Sequence, residues 1–434
     1  MRDSVGETGH ISPSVIDGRQ PFRPDGFKVN RLRYAWVVVF CALVFAIGQF
    51  HRAAGGILSP VLAEDLSLSA SALGSVIGAM FIATMVMQIP AGVALDRFGP
   101  RRVLPLMLGI AGIGSLVFSR AVELEWVYAG RILLGIGFAS SSAAAHILFS
   151  RWFSQDRFAQ VSGIMVAIGG IGGLTGTYPL ATIVDVVGWR PALMAVGMFT
   201  LAIAILGSIT IRNAPPHVPR PVFQPTGWRS MLNGFREIFG NRNFPRLLAM
   251  GTVAFAPITT VAGLWGGPYF QEVHGYDTQE AGSVLFALFL MTMIGGLVFG
   301  PLDRLLGTRK KVVLGGAVGS AVCVGAVAVI GGLPPVAVIV LLLGMTLCQN
   351  FYLTLNAHNR ALVGDHLVGR ASTLITVAAV GGIPVMQGGF GIALDWGQAM
   401  GLTVEQSYRL GFGFIAASVF VAGLVYAGSE DRKP

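Results

Sequence analysis

Two arginines fall inside apolar runs long enough to cross a membrane. Arg52, in Gln49-Phe50-His51-Arg52-Ala53-Ala54-Gly55-Gly56, lies about two thirds of the way along the first run, and Arg131, in Gly130-Arg131-Ile132-Leu133-Leu134-Gly135-Ile136-Gly137, lies inside the fourth. An ionised side chain at that depth costs at least a few kcal/mol, so it faces a partner or a water-filled space. A guanidinium offers a planar fork that grips a carboxylate or phosphate through two parallel hydrogen bonds. The chain holds no acid well inside a span, since Glu64, Asp65, Asp185, Glu272 and Asp395 all lie near span ends. An anionic solute is therefore the expected counter-charge. Plainer readings stand beside it: Arg52 reaching toward the nearer membrane face, and Arg131 satisfied by backbone carbonyls.

Other polar side chains extend the candidate site. Arg131, Gly135, Phe138, Ser142 and His146 share one helical face, a stripe able to line a pathway. His51 and His146 are the candidates for carrying a coupling proton, because imidazole is the side chain that ordinarily titrates near neutrality. Each could equally be a hydrogen-bonded core histidine. Gln49 accompanies Arg52. In the second half, Trp265 and Tyr269 share a face with Glu272, while Gln349, Tyr352, Asn356 and Gln387 add polar or aromatic groups. These seven residues either touch solute or hold helices together, at about 0.6 to 2 kcal/mol for each interhelical hydrogen bond.

The elements that must position these groups follow from composition. Of 434 residues, 53% are hydrophobic and 12% charged, 59 are glycine, and the mean hydropathy is +0.69, which excludes a soluble globule. Apolar segments run near residues 34 to 58, 71 to 95, 103 to 121, 126 to 149, 159 to 183 and 191 to 211. Six more run near 246 to 270, 279 to 302, 312 to 331, 335 to 357, 371 to 395 and 408 to 428. The fold class expected is an all-α polytopic membrane protein with twelve transmembrane helices in two pseudo-symmetric six-helix bundles. Cys41, Cys323 and Cys348 all lie in apolar runs, which leaves neither a disulfide framework nor a cysteine metal site. No nucleotide loop, zinc-binding helix or nucleophile elbow occurs, so no cofactor, metal or enzymatic activity is expected. The net charge of +9 is arginine placed between apolar runs, which points to topology and not to nucleic acid.

The most specific motif is Gly92-Val93-Ala94-Leu95-Asp96-Arg97-Phe98-Gly99-Pro100-Arg101-Arg102. A looser copy, Gly300-Pro301-Leu302-Asp303-Arg304-Leu305-Leu306-Gly307-Thr308-Arg309-Lys310-Lys311, sets its acid 207 positions after Asp96. Glycine pairs repeat too: Gly169-Gly170 before Asp185, and Gly381-Gly382 before Asp395. The motif resembles the signature loop of the major facilitator superfamily of membrane transporters, which joins the second and third helices and recurs between the eighth and ninth. The resemblance implies a gating latch made by Gly92, Asp96, Arg97, Gly99, Arg101 and Arg102, with Asp303 and Arg304 in the copy. Retention of the loop in the cytoplasm by its positive charge is the simpler alternative. Residues 49 to 102 further resemble the anion:cation symporter and organophosphate antiporter branches, whose first-span arginine binds a carboxylate or phosphate; that role would carry to Arg52. The sequence departs from those branches in lacking a seventh-span arginine and in placing histidine at position 51.

The expected organisation is a cytoplasmic tail at 1–33, a six-helix bundle at 34–211, a linker at 212–245 with an amphipathic helix built on Trp228, Met231, Leu232, Phe235, Ile238 and Phe239, a second bundle at 246–428 and a tail at 429–434. The expected function is secondary transport of a small carboxylate-type anion by rocking, coupled to a proton or ion. A proton-driven exporter of hydrophobic compounds is the alternative. A monomer in a bacterial-type cytoplasmic membrane is expected, its partners the solute, the coupling ion and the bilayer. Tails and even-numbered loops hold 25 of the 30 Lys and Arg residues, which puts both termini in the cytoplasm. Reporter fusions check this: alkaline phosphatase joined within 212–245 should be inactive, and an active fusion there would overturn the twelve-span topology.

Overall fold

The computed structural model describes residues 31–215, 236–363 and 367–431. The N-terminal tail before residue 31, most of the linker with Trp228, Met231, Leu232 and Phe235 of its expected amphipathic helix, and the last three residues lie outside them; Ile238, buried, and Phe239, exposed, lie in the helical residues 236–240. Twelve helices in the described residues are long and apolar enough to cross a membrane: Leu32–Ala53, Ala70–Phe98, Pro100–Ser119, Leu124–Trp152, Gln155–Val187, Trp189–Thr210, Phe244–His274, Thr278–Phe299, Arg309–Val329, Pro335–Leu362, Val368–Ala399 and Val404–Ala427. They are called the first to twelfth spans below.

Local sequence marks where these helices start. Ser69 accepts from Ala72 N at 3.2 Å, and Asp277 and Glu280 form a reciprocal capping box at the eighth span. Thr403 and Gln406 do the same at the twelfth. The first span departs from the expected single run to residue 58. Its helix ends at Ala53 and a second helix, Gly55–Leu66, continues to the far face.

Packing repeats between the halves. The third span lies along the sixth as the ninth lies along the twelfth, and the first packs on the fifth as the seventh does on the eleventh. The halves meet where the second span crosses the eleventh, the fifth crosses the eighth, and the continuation of the first crosses the seventh. Small residues make these crossings possible by letting backbones touch. A Cβ on Gly267 would sit 1.9 Å from the Gly56 carbonyl oxygen, and one on Gly55 would sit 2.3 Å from that of Gly263. The seventh span adapts with a π-helical turn at Val261–Trp265 beside this contact.

Both chain ends lie on one side of the bundle, here the terminal side; the other is the far side. Each half ties its terminal-side ends in a corresponding way. Asn213, just after the sixth span, accepts from Arg101 N at 2.8 Å at the start of the third, while Trp152 Nε1 donates to Arg212 O at 3.0 Å. Asp431, just after the twelfth, accepts from Thr308 Oγ1 at 2.5 Å and Lys310 N at 3.3 Å at the start of the ninth, while His358 Nε2 donates to Glu430 O at 2.9 Å. Although partial burial works against ionisation of the Asp431 carboxyl, the Thr308 and Lys310 donors hold it below its ordinary range.

Hydrogen bonds also cross between the halves on the far side. Asp395 of the eleventh span accepts from Ala70 N at 3.1 Å and Ser71 N at 3.0 Å, capping the first turn of the second span. A carboxylate is well suited to that positive helix end. Beside it, Ser59, Trp265, Glu272, Asp395 and Tyr408 line a cavity of about 200 Å³. Within the first half, Asp65 accepts from Trp189 Nε1 at 2.8 Å and Arg190 Nη1 at 2.7 Å, and these two donors hold its carboxyl below the usual range.

Charge-assisted hydrogen bonds of the Asp395 kind contribute about 1.5 to 3 kcal/mol each. Asp395→Ala should therefore loosen the far-side closure. In a cysteine-free background carrying Ser59→Cys, alkylation from the far side should speed up about ten-fold or more; an unchanged rate would show that this contact does not hold the halves together.

Candidate solute site

Arg52 occupies the last turn of the first span's helix, two residues before the break at Ala54. Side chains on a helix lean toward its N-terminus, which brings the guanidinium back toward mid-membrane. There Nη1 donates to Gln49 Oε1 at 2.8 Å. Arg52 and Gln49 are both half-buried, and the Arg52 Nε atom makes no hydrogen bond among the described residues. The main chain of Arg52 is held from the other half, since a Cβ on Gly263 would lie 3.1 Å from the Arg52 carbonyl oxygen. Across from Gln49, Gly173 of the fifth span leaves room beside Phe289 of the eighth.

Arg131 is placed differently. It is 1% exposed, its Nη1 donates to the His51 carbonyl oxygen at 3.2 Å, and its guanidinium carbon lies 4.8 Å from the Phe118 ring centroid. His51, also 1% exposed, packs its ring against Phe50 and Phe138 at centroid distances of 5.3 and 5.8 Å. Its Nε2 and the Nε and Nη2 of Arg131 find no partner among the described residues. His146 is half-buried, 3.5 Å from the exposed Ser142 hydroxyl, with Phe158 against its ring. Among the described residues the ion pairs are Arg190–Asp65 and Arg309–Asp303, so neither intramembrane arginine has a carboxylate partner.

The second-half candidates separate into two groups. Trp265 is 2% exposed, donates to Gln387 O at 3.1 Å and stacks on Phe390; Tyr269 is enclosed by Tyr408, Phe412 and His274. Both belong to the far-side packing. Gln387 in turn donates to Thr259 O at 3.1 Å. Nearer the terminal side, Gln349 Nε2 donates to Val253 O at 3.1 Å, and Asn356 Nδ2 donates to Tyr352 O at 3.2 Å. Tyr352 is half-buried, its hydroxyl 3.3 Å from that of Thr376, and its ring lies 4.3 Å from that of Phe255. Phe255 carried no signal in the sequence, being one of 27 phenylalanines in a largely apolar chain.

A separate apolar cavity of about 600 Å³ lies among the second, seventh, eleventh and twelfth spans, lined by residues such as Met85, Thr252, Val253, Met386 and Phe414. It contains no charged side chain.

The family model that describes the Major Facilitator Superfamily matches residues 35–387. The chain belongs to the Major Facilitator Superfamily. It thus falls among membrane transporters and not enzymes. Similar curated proteins are a probable sulfoacetate transporter of Cupriavidus necator, 26% identical over 62% of this chain and 64% of that protein, and a probable L-galactonate transporter of Escherichia coli, 25% identical over 64% of each. A 4-hydroxybenzoate transporter of Pseudomonas aeruginosa is 25% identical over 40% of this chain and 39% of its own length. Each match takes in less than two thirds of the relative. Among solved structures, a D-xylose-proton symporter superposes with a TM-score of 0.71 at 14% identity, covering 92% of this chain and 98% of its own. A bacterial homologue of the lysosomal transporter Spinster superposes at 0.70 with 16% identity, covering 93% and 97%.

The superfamily's signature loop takes a definite shape here. Asp96, Arg97, Arg101 and Arg102 are exposed, and the Asp96 carboxylate is within electrostatic reach of Arg151 at the end of the fourth span. In the copy, Asp303 is buried, accepts from Arg304 N at 2.9 Å and pairs with Arg309 at 3.6 Å. The start of the third span is capped by Asn213, a partner distant in sequence. Gly99 has φ +77°, and a Cβ there would meet the Asn213 amide at 2.6 Å, whereas Gly92 has nothing within 4 Å of such a Cβ. Gly99→Val should therefore impair transport and lower thermal stability. Gly92→Ala should leave both near wild type, and equal loss from the two substitutions would refute this account of the loop.

Proposed function

We propose that the chain is a secondary active transporter of a small organic anion of the carboxylate type, bound near mid-membrane between its two six-span halves. The observation that carries this reading is Arg52: a half-buried arginine inside the membrane, its guanidinium joined to Gln49 and to no carboxylate among the described residues. A carboxylate arriving at Arg52 would supply the missing charge and use the open side of its fork. The relatives named as carriers of sulfoacetate, galactonate and 4-hydroxybenzoate support the anionic class.

In this reading Arg52 and Gln49 bind the anionic group, and Tyr352 and Asn356 face the solute from the other half. Trp265, Tyr269 and Gln387 belong to the far-side gate, with Gln349 holding the seventh span to the tenth. Arg131 fixes the main chain of His51 beside the break in the first span, and His51 and His146 are the groups through which a proton would couple. Access alternates as the halves rock. The far-side crossings separate while the loop of Asp96, Arg97, Arg101 and Arg102 and its copy at Asp303 and Arg304 engage on the terminal side. Both termini face the cytoplasm of a bacterial-type inner membrane.

The 600 Å³ apolar cavity favours one second reading, export of a hydrophobic compound. The two readings diverge at Arg52. Arg52→Gln should abolish counterflow of carboxylates without preventing membrane insertion, and Arg52→Lys, which keeps the charge but loses the planar fork, should weaken binding by about ten-fold or more. Carboxylate counterflow by Arg52→Gln at the wild-type rate would remove the anion assignment and leave the exporter.

A further inference from the structure

The anion site named above leaves the body of the solute unspecified, and the geometry around Phe255 narrows it. The seventh span is the most enclosed of the twelve, yet Phe255 is 36% exposed in the middle of its inner half, with Val253, Ala254, Ala256 and Pro257 buried around it. Its ring lies against Tyr352 of the tenth span, so its exposed edge borders the seam between the seventh and tenth spans. The chain bends to present it, since the helix ends at Thr252 and restarts at Ala256. Its ring is tilted against that of Tyr352 with centroids 4.3 Å apart, and the Tyr352 hydroxyl is 3.3 Å from that of Thr376. Spans seven, ten and eleven thus build an aromatic surface with a hydroxyl pair at its edge.

The height of this surface relative to Arg52 follows from helix geometry. Gly263 lies level with the Arg52 main chain, and Phe255 precedes it by eight residues, a rise of at most about 12 Å toward the terminal side, shortened by the π-helical turn. The Arg52 guanidinium is itself drawn back one turn, to Gln49, which takes up about 4.5 Å of that rise. The remaining interval accommodates a single ring carrying a carboxylate. Phe289, half-buried beside Gln49 across Gly173, adds a further apolar wall at the level of the charge. A sugar acid would need a hydrogen-bonding partner for each hydroxyl along this interval, whereas the Phe255 and Phe289 rings supply none.

Resting on the anion reading, we propose that the solute is an aromatic carboxylate, its carboxyl group held by Arg52 and Gln49 of the first half and its ring placed on the Phe255–Tyr352 surface of the second, with Phe255 the residue that sets specificity. The hydroxyl pair of Tyr352 and Thr376 suits a ring bearing a hydroxyl opposite the carboxyl group. Binding one solute through both halves ties occupancy to their relative position.

The test is direct binding to purified full-length protein, with benzoate, 4-hydroxybenzoate and gluconate as probes. Wild type should bind benzoate at least ten-fold tighter than gluconate. Phe255→Ala should weaken benzoate by about ten-fold while moving gluconate less than two-fold, and Phe255→Tyr should restore benzoate. Phe255→Tyr, which keeps the ring against Tyr352, should keep the wild-type melting temperature. Tyr352→Phe should weaken 4-hydroxybenzoate relative to benzoate by several-fold. Tighter binding of gluconate than of benzoate, or equal losses for both in Phe255→Ala, would overturn the aromatic assignment while leaving the anion site standing. Benzoate binding unaffected by Arg52→Gln would instead bring down the anion reading, and this proposal with it.

Discussion

A cation that cannot be neutralised within the membrane is the constraint around which this transporter is arranged. Arginine stays protonated under all ordinary conditions, so each intramembrane guanidinium must be paired, braced by dipoles or left for a ligand. The two arginines divide these solutions. Arg131 is buried and held by the His51 carbonyl and the Phe118 ring, while Arg52 is a half-buried residue whose guanidinium has one amide neighbour. Both act on the same short stretch of the first span. Arg131 fixes the main chain at position 51, and Arg52 projects from the next residue toward the middle of the membrane.

The break at Ala54 gives that stretch its second function. Beyond it, Gly55 and Gly56 bring the first span into backbone contact with Gly263 and Gly267 of the seventh, so the span that carries Arg52 also forms part of the far-side closure. The π-helical turn at Val261–Trp265 sits against the same contact, and Trp265 passes the arrangement on to Gln387 of the eleventh span. A displacement of the Arg52 main chain therefore cannot remain local. In a packed interior with backbones in contact, small shifts are taken up by the movement of whole helices.

Much of the architecture was legible in the sequence, and the portion that was not has a common cause. Twelve spans, the six-plus-six repeat and the signature loop could be read because hydropathy and motif spacing are properties of contiguous residues. Hydropathy also carried the first span straight through Ala54, since a helix break inside an apolar run leaves no compositional mark. The partners of Asp395 and Asn213 are backbone amides more than a hundred positions away, and Asp431 takes one such amide beside the Thr308 hydroxyl; an amide has no side-chain signature. Asp395 could be noticed as the counterpart of Asp185, but its role at the start of the second span required the fold. Phe255 was hidden for the opposite reason, because its residue type is abundant and only exposure distinguishes it from core phenylalanines. Trp265 and Tyr269 show the converse, conspicuous types that the structure places within packing on the far side.

The two halves share a plan but not its chemistry, and the difference has a direction. After the sixth span the start of the third is capped by a neutral amide, Asn213, whereas after the twelfth the start of the ninth is capped by a carboxylate, Asp431. The acids of the two signature loops differ in the same sense: Asp303 is buried and paired with Arg309 within its own loop, and Asp96 is exposed. A carboxylate at a helix start is held more firmly than an amide because it adds charge to the hydrogen bond. The second half is thus tied internally at its terminal side, while the first half keeps its loop charges at the surface, with Asp96 in electrostatic reach of Arg151. If the halves move as units, the half with its loop charges at the surface also carries Arg52. Arg52 and the exposed charges of the signature loop then lie in the same body, so that a force on either acts on one set of helices.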